Sequence, residues 1–551
     1  MRMIIFLALG LLGLGIAVSQ PSAAQQHAAA GQGDEAPLYD DLGDHHYAIT
    51  TDVPKAQAYF DQGLRLYYAF NHAESIRAFR EAQRLDPRCA MCWWGEALAW
   101  GPNINLPMDA DAAVAAYDAL QGALERREYA SERERAFIDA LAERYAPEPQ
   151  EDRSDLDKAY AEAMGRVAAR WPDDPEAVVL YGEAIMDLQP WDYWTEDGRP
   201  KPGMEEALAG FQRVVDQDPN HPGACHFYIH AVEKLYPERA VPCAERLADL
   251  MPGAGHIVHM PSHIYIRVGR YLDAIEQNEH AVHEDETWIA DQRPGYGMYT
   301  VGYYPHNYDF LAFAASMIGR SEQAIASARK VADLIPPEMY GTPGMDFLQH
   351  WSTRPLQMLV RFGRWDEILA TDPPAASMPH ARALWHYSRG RALVASGEVA
   401  AARDQLQALR RIAGDSAIVG MRMEFNKSRD LLAVATHVLA GYVEVAADDL
   451  EQAVAEMQAA VRSEDALLYG EPPEWSVPAR QDLGRVLLLA GRSAEAERAF
   501  RKDLERFRDN GWSLYGLTEA LNAQGQAEKA AAVQREFNRV WGTADVSLPL
   551  D

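Results

Sequence analysis

Residues 60–87 read FDQGLRLYYAFNHAESIRAFREAQRLDP. Gly63, Ser75, Phe79, Ala82 and Pro87 stand at the spacings of a helix–turn–helix repeat of about 34 residues. The next segment, AMCWWGEALA (90–99), puts Trp93 and Ala97 at first-helix positions. Residues 255–286 match better still. Gly269-Arg270-Tyr271 makes the inter-helix turn, Ala274 and Ala281 pack the second helix, and Ser262 fills a close helix crossing. Residues 305–336 repeat the pattern with Ala312, Gly319-Arg320, Ala324 and Pro336. Later units show at Phe362-Gly363-Arg364-Trp365, at Ala395-Ser396-Gly397, and across 448–461, 489–500 and 512–533. One helix pair cannot bury its apolar face alone, so the pairs must stack. The expected fold is an all-α solenoid of stacked antiparallel helix pairs. Its repeats run over 53–190, 204–346 and 347–545, after an extended or flexible lead at 25–52.

Four stretches break the rhythm. They are WGPNINLPMD (100–109), WDYWTEDGRPKPG (191–203), DETWIADQRPGYGMYTVGYYPHNYDF (285–310) and YGEPPEWSVPARQ (469–481). Aromatic and Pro/Gly-rich loops on a rigid scaffold often edge a functional surface. Capping or filling the groove is the competing role.

The chain has 551 residues, 48% apolar, with a formal net charge of −30. That length supports a large core, and that charge disfavours nucleic acid or an anionic membrane as partner. The start, MRMIIFLALGLLGLGIAVSQPSAAQQ, has Arg2, an apolar run from Ile4 to Val18, and small residues Ser22-Ala23-Ala24. It reads as a cleavable secretory signal over 1–24, with a retained anchor as the alternative. No later segment approaches the roughly 20 apolar residues of a membrane span. The expected location is the periplasm or outside the cell.

Such a setting permits disulfides. Cys225 and Cys243 could bridge adjacent antiparallel helices. Cys89 and Cys92 form CAMC, followed by Trp93 and not histidine, so this is no c-type haem attachment. A short-loop disulfide, a redox or soft-metal site and unpaired thiols all stay open for that pair.

Taken together, the chain resembles the tetratricopeptide repeat superfamily. It resembles more closely large secreted bacterial repeat proteins of poorly defined function. FNHAESIRAF (70–79), CAMCWWGEALAWGPNIN (89–105), HFYIHAVE (226–233), HMPSHIYIRVGRY (259–271), GYYPHNYDFL (302–311), PEWSVPARQDLG (473–484) and DNGWSLYGL (509–517) carry the likeness. A right-handed superhelix is the corresponding architecture. The superfamily usually implies peptide or protein binding, and no catalytic residue transfers from it.

Chemistry-bearing residues cluster in the centre. With a unit starting at Gly255, His256, His259 and His263 fall on first-helix positions of the groove type. His259 and His263 are four apart and share a helical face. Pro261 leaves His259 either on that face or leading into a helix that starts at Met260. The preceding unit carries His226 and His230, again four apart, and the following unit opens with His306. Consecutive first helices pack side by side, so two His-x3-His pairs could face each other across one seam. Imidazole suits zinc, copper, iron and nickel, and rigid helices fix ligand geometry. Glu233, Tyr228, Tyr265, Tyr303 and Tyr304 are candidates for hydrogen bonds to the ligand imidazoles.

Packed or solvated histidines, or a metal-free His/Tyr pocket, are the alternatives. HExxH, GxSxG, P-loop and dinucleotide motifs are absent in their required contexts. His72 reads as a turn residue, Trp93 and Trp94 as core, and Arg480 as an anion contact or a structural ion pair. Two functions follow. One is a transition-metal centre, copper or zinc, in the concave groove. The other is a metal-free scaffold holding a peptide, protein or small ligand there.

Overall fold

The structure is a computed structural model describing residues 36–342 and 344–549. The signal reading of 1–24 lies outside the described residues. Among the described residues the chain is all α-helical, with isolated bridges such as Asn103–Leu106 but no sheet. Antiparallel pairs follow one another along the chain. Pro54–Tyr68 pairs with His72–Leu85, Tyr304–Met317 with Ser321–Asp333, and Ser428–Ala446 with Leu450–Asp465. Each pair also packs on its neighbour, which makes the solenoid.

The inter-helix turn is one motif used repeatedly. The N–H of Arg270 donates to Tyr265 O at 2.8 Å, and that of Arg320 to Ala315 O at 3.0 Å. This wide bond needs a left-handed residue just before the donor, and glycine adopts that conformation freely. Gly269 and Gly319 supply it, at φ +83° and +77°. The same turn after Pro54–Tyr68 closes through Asn71 N to Leu66 O at 3.0 Å. There the left-handed residue is Phe70, at φ +55°.

Close crossings explain other small residues. A Cβ on Gly63 or on Gly95 would come within 2.7 or 2.4 Å of the Phe79 ring. Both glycines let flanking helices close on that ring, so the opening motif encodes a packing distance.

The described part of the lead is extended and held down. Gly253 N donates to Asp41 O at 2.9 Å, Tyr47 Oη to Asp174 at 3.0 Å, and His45 pairs with Glu176 at 2.8 Å. At the other end the chain returns to its middle. Trp512 Nε1 donates to Ser316 O at 2.8 Å. The Asp545 carboxylate accepts from Ser321 N at 2.7 Å and Glu322 N at 3.0 Å, capping the Ser321–Asp333 helix. The described lead and the C-terminal units thus both pack against the central units.

Both cysteine pairs are bonded. Cys89 joins Cys92, and Cys225 joins Cys243, tying the Pro222–Val232 helix to Val241–Leu250. No described helix is long and apolar enough to cross a membrane.

Candidate metal centre

Three adjacent first helices meet in the central units. Every residue of Pro222–Val232 is buried, including His226 and His230. The next unit is split into Gly255–His259 and Pro261–Val268. Pro261 removes an N–H and so interrupts the hydrogen-bond ladder. Met260 between them keeps helical torsions, φ −52° and ψ −36°, so the helical path continues. His259 and His263 therefore stay on one face. His306 arrives from Tyr304–Met317.

The six histidines sort into two groups of three. His226, His230 and His256 form one, and His259, His263 and His306 the other. Within each group, one nitrogen per ring lies within 4.8 Å of the others. The two groups touch. His230 and His263 ring centroids are 5.1 Å apart, and those of His256 and His259 are 5.8 Å apart.

The proton positions are informative. His226 Nδ1 lies 2.6 Å from the Tyr68 carbonyl, which can only accept, so Nδ1 carries the proton. His259 Nδ1 lies 2.7 Å from Asn278 Oδ1, and the Asn278 amide nitrogen donates to Ala274 O and Ser262 Oγ. That orientation also makes Nδ1 the donor. Glu233 faces the Nδ1 atoms of both remaining members, His230 at 3.5 Å and His263 at 2.7 Å. A proton on Nδ1 leaves the Nε2 atoms of His226 and His259 as lone pairs, and a Glu233 carboxylate favours the same tautomer at His230 and His263. Yet His226 Nε2 faces His230 Nε2 at 3.1 Å, and His259 Nε2 faces His263 Nε2 at 3.0 Å. Two facing lone pairs repel unless a cation or proton lies between them. His256 adds a buried ring with neither nitrogen hydrogen-bonded among the described residues.

Burial, and then the neighbouring imidazoles, hold His226, His256, His259, His263 and His306 well below the ordinary histidine range. The rings are neutral near pH 7, the form that binds metal. Burial raises the Glu233 carboxyl, and its hydrogen bond to His230 opposes that.

Other histidine groups behave differently. His350 Nε2 donates to Glu474 O at 2.7 Å, its Nδ1 accepts from His380 Nε2 at 2.9 Å, and His380 Nδ1 accepts from Ser428 Oγ at 2.7 Å. Every proton there has a place. In the group of His45, Glu176 and His221, His221 Nδ1 accepts from Ala224 N, which leaves its Nε2–H for Glu176 at 3.3 Å. That ring has no lone pair to spare. It anchors the lead to the solenoid.

Aromatic rings wall the six histidines. Phe70 lies 4.5 Å from His226 and 5.3 Å from His256, centroid to centroid. Phe310 lies 4.6 Å from both His259 and His263. Trp191 stands 5.1 Å from His230 and Tyr303 4.7 Å from His256. Asn105 ties these together, accepting from Trp191 Nε1 at 3.0 Å and donating to Tyr303 Oη at 3.3 Å. Three of the rhythm-breaking stretches therefore meet over the site. The fourth reaches Arg267 beside Glu233, through Glu471 at 3.6 Å.

Of the five residues expected to support ligand imidazoles, Glu233 and Tyr303 are at the site. Three tyrosines need correction. Tyr228 Oη donates to Gln212 at 2.7 Å, on the far side of its helix from His226 and His230. Tyr265 lies under Arg270, and Tyr304 donates to Glu286 at 3.0 Å. Each sits off the histidine stripe in helical phase, so its ring leaves in another direction. Arg480 pairs with Asp465, His72 stacks on Tyr67, and Trp94 is core. Sequence reasoning missed Phe70, Trp191, Phe310, Asn105 and Asn278. Phe70 carried a signal as an aromatic residue where other turns hold glycine, and Asn105, Trp191 and Phe310 stand in the rhythm-breaking stretches.

No family model and no curated protein matches the chain. Among solved structures it is similar to the human IFIT1 dimer with PPP-AAAA, at 12% identity over 89% of this chain and 92% of that one, TM-score 0.33. An IFIT1 monomeric mutant with Gppp-AAAA gives 11% identity, 95% and 96% coverage and TM-score 0.34. The APC/C hetero-tetramer Cut9-Hcn1 gives 12%, 90% and 76%, and 0.30. Superpositions this loose carry no functional argument. Fold and site together define a helical-repeat scaffold with histidine and glutamate clusters able to coordinate a metal ion.

Proposed function

We propose that this chain is a periplasmic or secreted repeat protein whose histidines hold a transition metal, copper or zinc. The facing Nε2 atoms of His259 and His263, with Nδ1 of His259 committed to Asn278 and Nδ1 of His263 beside Glu233, carry the reading. A bound cation replaces lone-pair repulsion with two bonds of about 2.0–2.1 Å. The same Nδ1 contacts hold each ring in the ligating tautomer and raise its basicity. Three imidazoles leave an ion with an open position, which suits chemistry as well as structure. The signal-like composition of residues 1–24 and the disulfides motivate the compartment.

Metal analysis of protein purified without a histidine tag tests the reading. Stoichiometric copper or zinc, reduced on His259→Ala, His263→Ala replacement, is expected. Metal well below one ion per chain after reconstitution overturns it. Removing bound metal should also lower Tm, because the ion stabilises only the folded chain.

A further inference from the structure

We propose that the two histidine groups hold two copper ions side by side, and that this pair binds dioxygen between them. The inference rests on the metal reading and extends it. Its first support is that the six rings form two groups of three, each with nitrogens close enough for one ion, joined by a further group of His230, Glu233 and His263. Its second is that the groups are in ring contact, at 5.1 and 5.8 Å between centroids. Two metals spanned by one small ligand stand about 3.5–4 Å apart, and such a pair requires ligand groups in direct contact, as these are. Its third is Glu233, whose two oxygens face one histidine from each group and tie the halves into one unit.

Charge selects the metal. The ligands are neutral imidazoles, and Glu233 is the carboxylate placed against them. Phe70, Phe310 and Trp191 surround the rings with apolar surface. Such a site resists concentrated positive charge. Two Zn²⁺ ions bring four charges and two Cu⁺ ions only two. Imidazole suits copper, and three ligands per group leave each ion a position open for a further ligand. Electrons balance without a proton. Each Cu⁺ gives one electron, dioxygen accepts both, and the result is two Cu²⁺ ions bridged by dioxygen reduced by two electrons. The O–O bond remains, and reversal releases dioxygen.

The test loads metal-free full-length protein with Cu⁺ without oxygen, counts copper, then admits oxygen. Expected are two coppers per chain, uptake of one dioxygen, a new near-ultraviolet charge-transfer band, and no Cu²⁺ electron-spin resonance because the spins couple. His256→Ala should hold one copper and show an ordinary Cu²⁺ resonance after oxidation. His306→Ala, at a partly exposed ring, repeats the test on the other group should His256→Ala not fold. One copper in the parent chain, two uncoupled Cu²⁺ signals, or coupled copper without oxygen uptake overturns the inference while leaving the metal reading. Absence of any metal overturns that reading instead.

Discussion

The indole of Trp191 stands edge-on to the His230 imidazole, centroids 5.1 Å apart, while its own backbone is left-handed at φ +65°. A bulky residue in that region carries strain of about 1–2 kcal/mol. Phe70, at φ +55°, lies against His226 in the same group. Two strained aromatic residues thus converge on the group of His226, His230 and His256. Trp191→Ala should leave the metal content unchanged and speed its removal by a chelator about tenfold. Stopped-flow chelator competition measures this, and an unchanged rate would mean that Trp191 does not guard the site.

Phe70 and Asp448 form a natural comparison, both left-handed at the same turn position. Asp448 is exposed, so Asp448→Gly should stabilise by roughly 0.5–1 kcal/mol through relief of strain. Phe70→Gly should instead destabilise, because losing a buried phenyl ring costs about 3–5 kcal/mol. Urea denaturation of the two variants reads opposite signs.

Asn278 is the acceptor that fixes the His259 tautomer. Asn278→Ala should weaken metal affinity about 10–100-fold with little change in helix content. Asn278→Asp keeps an acceptor oxygen and should lose less. Competitive titration against a chelator of known affinity separates the two.

The Cys225–Cys243 bond sits one residue before His226. Replacing both cysteines with serine should cost about 2–4 kcal/mol. The Cys89–Cys92 bond closes a much shorter loop, so its removal should cost less. Differential scanning calorimetry of the two double variants gives the ranking.

Glu464 supplies a pH test away from the histidines. Burial pushes its carboxyl up to about 7, partly opposed by Arg506 and the Ala479 N–H. A carboxyl raised in the folded state contributes stability in full below its unfolded value near 4.5, and loses it as pH rises through about 7. Glu464→Gln keeps an acceptor for Ala479 N and does not titrate. The variant should gain Tm over the parent at pH 8 and lose that advantage at pH 5.

The helical stacking could be read because repeat physics is local. Gly63, Phe79, Gly269 and Gly319 each report a turn or a crossing through neighbours in their own or an adjacent helix. The six histidines could be found for the same reason, since a spacing of four sets one face and adjacent first helices set the seam. Tyr228, Tyr265 and Tyr304 point away from the histidines because closeness in sequence does not set the direction of a side chain.

The sequence by itself determined the solenoid and the stripe of imidazoles along its central units, through periodicities that need no distant contact. Only the tertiary structure decided how those imidazoles divide into two threes and which nitrogens carry protons. It also decided which rings close over them. Those outcomes depend on Phe70, Asn105 and Trp191, whose side chains reach the site from other units, and on Asn278, from the helix paired with that of His259. The packing of units on one another brings such residues together, and no spacing along the chain records it.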